Sequence, residues 1–168
     1  MKDRKGSIRV LAISSAGGHW VQLQRLRSAW DGCDIVYVTT KQGYREDLVQ
    51  DAKERGQSEP RFYRVVDANR WQKFRLLRQL TGILAILLKE RPDVIVSTGA
   101  AAGYFALRFG KFLGARTIWL DSIANAETMS LSGLKAQSCA DMWLTQWEHI
   151  ATADNTTKKA PDYRGSVV

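Results

Sequence analysis

The 168-residue sequence predicts an α/β domain, a Rossmann-like parallel sheet with helices on both faces. Three observations carry that prediction. Short β-branched runs alternate with longer stretches of helical periodicity, the rhythm of consecutive β-α-β units. A small-residue turn, Ser14-Ser15-Ala16-Gly17-Gly18-His19, follows the first apolar run and opens the first helical one. Turn residues also fall at the joints, with Pro92 after the longest helical stretch and Gly114 between the fourth helix and the fifth strand.

Taken in order, strands are predicted at residues 8–14, 34–40, 62–66, 93–98, 116–122 and 142–146, each rich in Val, Ile, Tyr, Trp or Thr. Helices are predicted between them at about 18–30, 44–56, 71–91, 102–113 and 127–139. Residues 1–151 therefore make one Rossmann-like domain. The polar segment 152–168, with Pro161 and Gly165, is expected to be a tail that is either extended or docked on something else.

A hydrophobic content of 45% is enough for a sizeable core. The excess of 25 Lys and Arg over 17 Asp and Glu gives a net charge of +8, which favours nucleic acid, phosphorylated ligands or an acidic lipid surface. Cys33 and Cys139 lie in no CxxC or Cys/His spacing, so neither a disulfide framework nor a zinc site is expected, and a reducing cytosolic setting is preferred. Neither a metal nor a cofactor is expected. The start MKDRKGSIRVLAIS runs straight into the glycine turn and reads as a first strand rather than a signal peptide. No uninterrupted apolar stretch reaches the ~18 residues of a spanning helix.

Backbone amides in the glycine turn can face an anion at the positive end of a helix dipole, which makes phosphate or diphosphate the natural ligand. The turn is not GxGxxG, because Ala16 breaks the first pair, and it lacks the GK[ST] ending of a nucleotide-hydrolase loop. A tight strand-to-helix turn with no ligand has the same pattern. His19 stands at the helix start, where it can contact a phosphate oxygen, accept a proton from a sugar hydroxyl, or serve only as a hydrogen-bonding group.

Between Arg61 and Arg91 there are eight basic residues against two acidic ones, a local +6 that holds most of the net charge. Apolar residues recur there at helical spacing and spread over more than one face, with Leu77, Leu84 and Leu88 expected inward. Arg70, Trp71, Lys73, Phe74, Arg75 and Arg78 are expected to meet an anionic bilayer surface. A buried sheet-covering helix with solvated arginines is the alternative. Nucleic acid fits less well, since the aromatics do not interleave with basic residues as a stacking platform would.

Ligands of open α/β sheets bind at the carboxyl ends of strands, near a topological switch point. Ser97-Thr98-Gly99-Ala100-Ala101-Ala102-Gly103 is a second small-residue turn there, able to bind an anion or to pack a helix closely on the sheet. The fifth strand is followed by Asp121-Ser122-Ile123-Ala124-Asn125-Ala126-Glu127. Ser122 and Asn125 are suited to reading a sugar or pyrophosphate, and Asp121 or Glu127 can be a general base or a helix cap.

Taken together, SSAGGHWVQL, STGAAAGYFAL, SIANAETMSLSG and ADMWLTQWE resemble the asparagine-linked glycosylation fourteen family and its bacterial exopolysaccharide counterparts, in the same order over nearly the whole chain. ETMSLSG and ADMWLTQW are the most specific words. The resemblance implies the amino-terminal half of a GT-B glycosyltransferase of the lipid II-forming kind, with the UDP-sugar held by a separate donor-binding subunit. It places Ser15, Gly17, Gly18, His19, Thr98, Gly99, Ser122 and Asn125 at the diphosphate of a polyprenyl-linked acceptor, with His19 and Glu127 as candidate catalytic groups. The basic helix would meet the membrane.

Eukaryotic members carry an amino-terminal anchor that this sequence lacks, so the bacterial branch, in exopolysaccharide or capsule biosynthesis, is the closer fit. The chain would then sit peripherally on the inner face of the cytoplasmic membrane. The tail APDYRGSVV resembles the family's short carboxyl-terminal extension, with Tyr163 and the two valines as apolar anchors on the partner. Two other readings remain: a non-catalytic scaffold that recruits the donor-binding subunit, and a lone enzyme that binds UDP-sugar by itself.

Overall fold

The computed structural model describes residues 6–68, 71–152 and 160–167. Seven strands form one parallel sheet: β1 (Arg9–Ile13), β2 (Asp34–Thr39), β3 (Arg61–Arg64), β4 (Val94–Ser97), β5 (Arg116–Leu120), β6 (Met142–Thr145) and β7 (Asp162–Tyr163). Their order is β3-β2-β1-β4-β5-β6-β7. The sheet grows outward from β1 to β3, then restarts on the other side with β4, which pairs Val10 with Val94 and Ile13 with Ser97. The topological switch point therefore lies between the carboxyl ends of β1 and β4.

Helices α1 (Gly18–Arg25), α2 (Arg45–Glu54), α3 (Lys73–Glu90), α4 (Ala100–Phe112), α5 (Leu131–Ala136) and α6 (Glu148–Thr152) accompany the strands. Period-two alternation sends Leu11, Ile13, Val36, Val38 and Ile95 to one face, where they meet Ile83 and Leu87 of α3, Ala106 and Leu107 of α4 and Ala136 of α5. Val10, Ala12 and Tyr37 point to the other face, against Trp20 and Leu23 of α1, Leu48 of α2 and Trp30. Three buried indoles find an acceptor: Trp119 Nε1 donates to Asp121, Trp143 Nε1 to the Gly133 carbonyl and Trp30 Nε1 to the Tyr37 hydroxyl. On the α1 face an apolar cleft of about 320 Å³ stays open, lined by Trp30, Val94, Val96, Ile118, Leu120 and Leu144 among others.

Every predicted strand forms, and the joints fall as expected: Arg91 ends α3 in the left-handed region at φ 46°, Pro92 follows, and Gly114 turns at φ 88°. The helices differ from expectation at their ends. The first stops at Arg25 and gives way to a 3-10 turn, Arg27–Trp30. The fourth starts at Ala100 rather than 102. The fifth shortens to Leu131–Ala136, because the Asp121 carboxylate accepts from the amide of Ser130 at 2.7 Å and fixes the start of the helix there. α6 and β7 lie in segments not expected to be regular.

The phase of α3 is the main correction. Its inward face is Gln79, Ile83, Ile86, Leu87 and Glu90, whereas Leu77, Leu84 and Leu88 stand out at 60%, 38% and 52% exposure. Both arcs are apolar, so periodicity cannot rank them, and buried polar contacts do. Gln79 Nε2 donates to the Val66 carbonyl at 2.7 Å, and Glu90, 3% exposed, accepts from Tyr63 OH at 2.6 Å and forms an ion pair with Arg61, whose Nε lies 3.2 Å away. Turning the helix to bury the leucines would strand both groups.

The described part of the tail lies on the chain's own sheet, with Leu144 paired to Asp162 and Thr145 to Tyr163 in parallel register. Tyr163 remains 38% exposed, and Val168 lies outside the described residues.

Candidate functional site

Two helix starts meet at the switch point. Gly17 at φ 86° turns the chain from β1 into α1, and no side chain caps the helix. The amides of Ala16 and Gly17 are taken by Thr40 Oγ1 at 3.1 Å and Tyr44 OH at 3.4 Å. Those of Gly18, His19 and Trp20 form the first turn, whose N–H groups have no intrahelical acceptor. Gly99 at φ 141° performs the same service for α4, again without a side-chain cap, and Ala100 follows in the left-handed region at φ 67°. A non-glycine residue in that region is strained, and such strain collects at functional sites.

The two turns are knit together by His19 and Thr98. Thr98 Oγ1 donates to the His19 carbonyl at 2.7 Å, and His19 Nδ1 lies 3.0 Å from the Thr98 carbonyl. A carbonyl only accepts, so neutral His19 carries its proton on Nδ1 and keeps its lone pair on Nε2. Glycine at 99 is required by this contact, since a Cβ there would stand 2.4 Å from the ring. Three expected residues, His19, Thr98 and Gly99, are thus brought into one cluster, with Gly17 and Gly18 on its α1 side. Ser15 is half-buried between β1 and the turn.

The loop after β5 divides into structural and available groups. Asp121 is 2% exposed and accepts from Trp119 Nε1 at 3.1 Å, Asn125 Nδ2 at 3.2 Å, and Ser130 N and Oγ at 2.7 and 2.6 Å. Ser130 Oγ in turn accepts from Gly133 N at 2.9 Å, capping α5. Asp121 thus braces the capping residue Ser130 and does not itself cap α5. The amide of Asn125 is spent on Asp121, while Ser122, 5% exposed, accepts from Gln22 Nε2 of α1 at 3.1 Å. Glu127 is exposed in the loop ahead of α5, and no contact joins it to His19 among the described residues.

Gln22, Gln146, Thr40 and Tyr44 support the site and were not singled out from the sequence. Gln22 and Gln146 sit inside the words SSAGGHWVQL and ADMWLTQWE, but an amide has no spacing that marks it as a buried connector.

On α3 and just before it, Trp71 and Phe74 are 78% and 90% exposed, beside exposed Lys73, Arg75 and Arg78. Arg70 lies outside the described residues. Leu77, Leu84 and Leu88 continue this outer stripe, and Phe112 and Leu113 at the end of α4 are exposed as well. Among the described residues no helix is long and apolar enough to cross a membrane.

No family model matches the chain. Among curated proteins it is 25% identical over 162 residues, covering 85% of the chain and 77% of the relative, to the UDP-N-acetylglucosamine transferase subunit alg14 of Schizosaccharomyces pombe. It is 36% identical over 69 residues to the subunit ALG14 of Yarrowia lipolytica, a match that spans only 32% of that relative. Among solved structures, MurG of Acinetobacter baumannii superposes with a TM-score of 0.65 over 95% of this chain and 45% of that one, at 13% identity. A UDP-N-acetylglucosamine 2-epimerase gives 0.67 over 95% and 48%, at 10% identity. The chain therefore spans less than half of either solved structure, and these two likenesses concern the fold. By sequence the chain is similar to ALG14 subunits of UDP-N-acetylglucosamine transferases, and its Rossmann-like parallel sheet has the fold of one half of MurG and of the epimerase.

Proposed function

We propose that the chain is the acceptor-binding, membrane-associating subunit of a two-component glycosyltransferase, which moves a sugar from a UDP donor to a polyprenyl-diphosphate-linked sugar in exopolysaccharide or capsule biosynthesis. The observation that carries this reading is the meeting of two uncapped helix starts at the switch point, joined through His19 and Thr98. Amides of two helices suit the two phosphates of such an acceptor, whose charge they neutralise without reorganisation. Ser15, Ser122 and Asn125 border that site.

His19 is the proposed base. With Nδ1 held by the Thr98 carbonyl, Nε2 is oriented to take the proton of the acceptor hydroxyl as that oxygen attacks the anomeric carbon, while UDP departs on the partner's side. Glu127 is the second candidate, reaching the acceptor from the loop. The donor-binding subunit holds the UDP-sugar and docks along the open apolar cleft and the adjoining tail, and this chain is inactive without it. No metal or cofactor is assigned. The outer stripe of α3 rests on the inner face of the cytoplasmic membrane, apolar residues inserted shallowly and cations at the headgroups.

The test is co-expression with a donor-binding partner, followed by transfer assays over several UDP-sugars and polyprenyl-diphosphate acceptors. His19→Ala is expected to lower turnover by roughly 10²–10⁴-fold with the complex still assembled. Unchanged turnover in an intact complex would assign the chain the role of a non-catalytic recruiting scaffold. Tight binding of UDP-sugar by the chain alone would contradict the two-component reading.

A further inference from the structure

The carboxyl-terminal segment reaches back to α1 and to the residue after β6. After β7 the chain runs to Val167, whose N–H donates to Gln146 Oε1 at 2.8 Å and whose carbonyl accepts from Arg25 Nη1 of α1 at 3.1 Å. Gln146 Nε2 donates to Gln22 Oε1 at 3.0 Å and to the Asp121 carbonyl at 2.8 Å. Gln22 Oε1 also accepts from Ile123 N at 3.2 Å, and Gln22 Nε2 donates to Ser122 Oγ at 3.1 Å. Ser122 Oγ accepts a second bond from Ala124 N at 3.3 Å. All three side chains are buried, Gln146 at 3%, Gln22 at 6% and Ser122 at 5% exposure.

The direction of this chain of bonds is set by backbone groups. Val167 N–H and Ile123 N–H can only donate, and the Asp121 carbonyl can only accept, so neither glutamine can flip without opposing like poles. Each amide presents oxygen toward the tail and nitrogen toward Ser122. Two donors then occupy the lone-pair side of the Ser122 hydroxyl, so its proton is left to donate. Bonds aligned in one sense polarise one another, which strengthens the terminal donor.

We infer that Gln146 and Gln22 are positioning residues through which the docked tail holds Ser122 as a hydrogen-bond donor to an anionic ligand group at the switch point. The inference rests on the reading that this site binds a diphosphate. It also makes tail docking and anion affinity a single equilibrium, so that whatever moves the tail changes the site.

Inorganic pyrophosphate is the probe, titrated into the full chain and followed by calorimetry or amide resonances. Val167→Pro removes the first donor, because proline has no N–H, and Gln146→Leu breaks the series one step further in; melting curves check that both fold. Each, like Ser122→Ala, is expected to weaken pyrophosphate binding roughly tenfold, the scale of one hydrogen bond to a charged group. Because they act through one hydroxyl, Gln146→Leu combined with Ser122→Ala should be no weaker than either alone. Wild-type binding that is unaffected by Gln146→Leu and Val167→Pro, or losses that multiply in the double variant, would overturn the positioning role while leaving the anion site standing. No pyrophosphate binding by the wild type would remove both the site and the inference.

Discussion

His19 owes its orientation to two neighbours that bear no charge. The Thr98 carbonyl selects the tautomer, and the missing side chain at Gly99 leaves room for the ring. Gly99→Ala should therefore act twice: its methyl displaces the ring, and φ 141° is forced on a residue that rarely adopts it. We expect about 1–3 kcal/mol of destabilisation by denaturant unfolding together with loss of transfer. Gly17→Ala meets no atom within 4 Å, so its cost should be backbone strain alone, about 1–2 kcal/mol, with the His19 ring undisturbed in its NMR signals. A larger effect on the ring from Gly17→Ala than from Gly99→Ala would contradict this account. These residues were legible as small-residue turns around a histidine, but their mutual contact was not, because residues 19 and 98 are adjacent only once β1 and β4 pair.

At the scale of the element, α3 carries a buried face that bears on stability and an outer face that the proposed function assigns to surface attachment. Ile83 is 2% exposed and Ile83→Ala should cost about 2–5 kcal/mol in denaturant unfolding. Phe74→Glu and Leu77→Glu alter side chains that are 90% and 60% exposed, so unfolding should move by no more than ~0.5 kcal/mol. The same two changes should reduce co-sedimentation with anionic vesicles severalfold, and added salt should weaken retention of the wild type. Retention that survives both substitutions would exclude α3 as the attachment surface. The sequence disclosed the helix, its charge and its two apolar arcs. Which arc turned inward depended on Gln79 and Glu90 finding partners from β3 and the segment after it.

Across the whole molecule, ion pairs brace the amino-terminal edge of the sheet, opposite the site. Burial alone would raise the Asp34 carboxyl, but hydrogen bonds from Arg61 and Arg9 outweigh it and hold it below its ordinary value of 3.8. The hydrogen bond from Lys111 lowers Asp141 in the same way, burial opposing and the Thr117 amide assisting. A depressed carboxylate contributes stability that is fully present above the unfolded value and is lost as pH falls through the folded one. Melting temperature should accordingly be flat above about pH 5 and fall below about pH 4, and Asp34→Asn should flatten part of that fall. An unchanged acid limb in Asp34→Asn would remove the pair from the account.

What the sequence determined by itself was local. β-Branched alternation, turn glycines and Pro92 specify strands and joints because each acts over a few residues, and the family words supply the likeness to ALG14. Tertiary structure alone decided the contacts between distant positions: the phase of α3, the bracing of the cap residue Ser130 by Asp121, the return of the tail to its own sheet edge, and the buried line from Val167 through Gln146 and Gln22 to Ser122. Such contacts depend on which buried donors and acceptors find partners once the strands are ordered, and a linear pattern carries no record of that pairing.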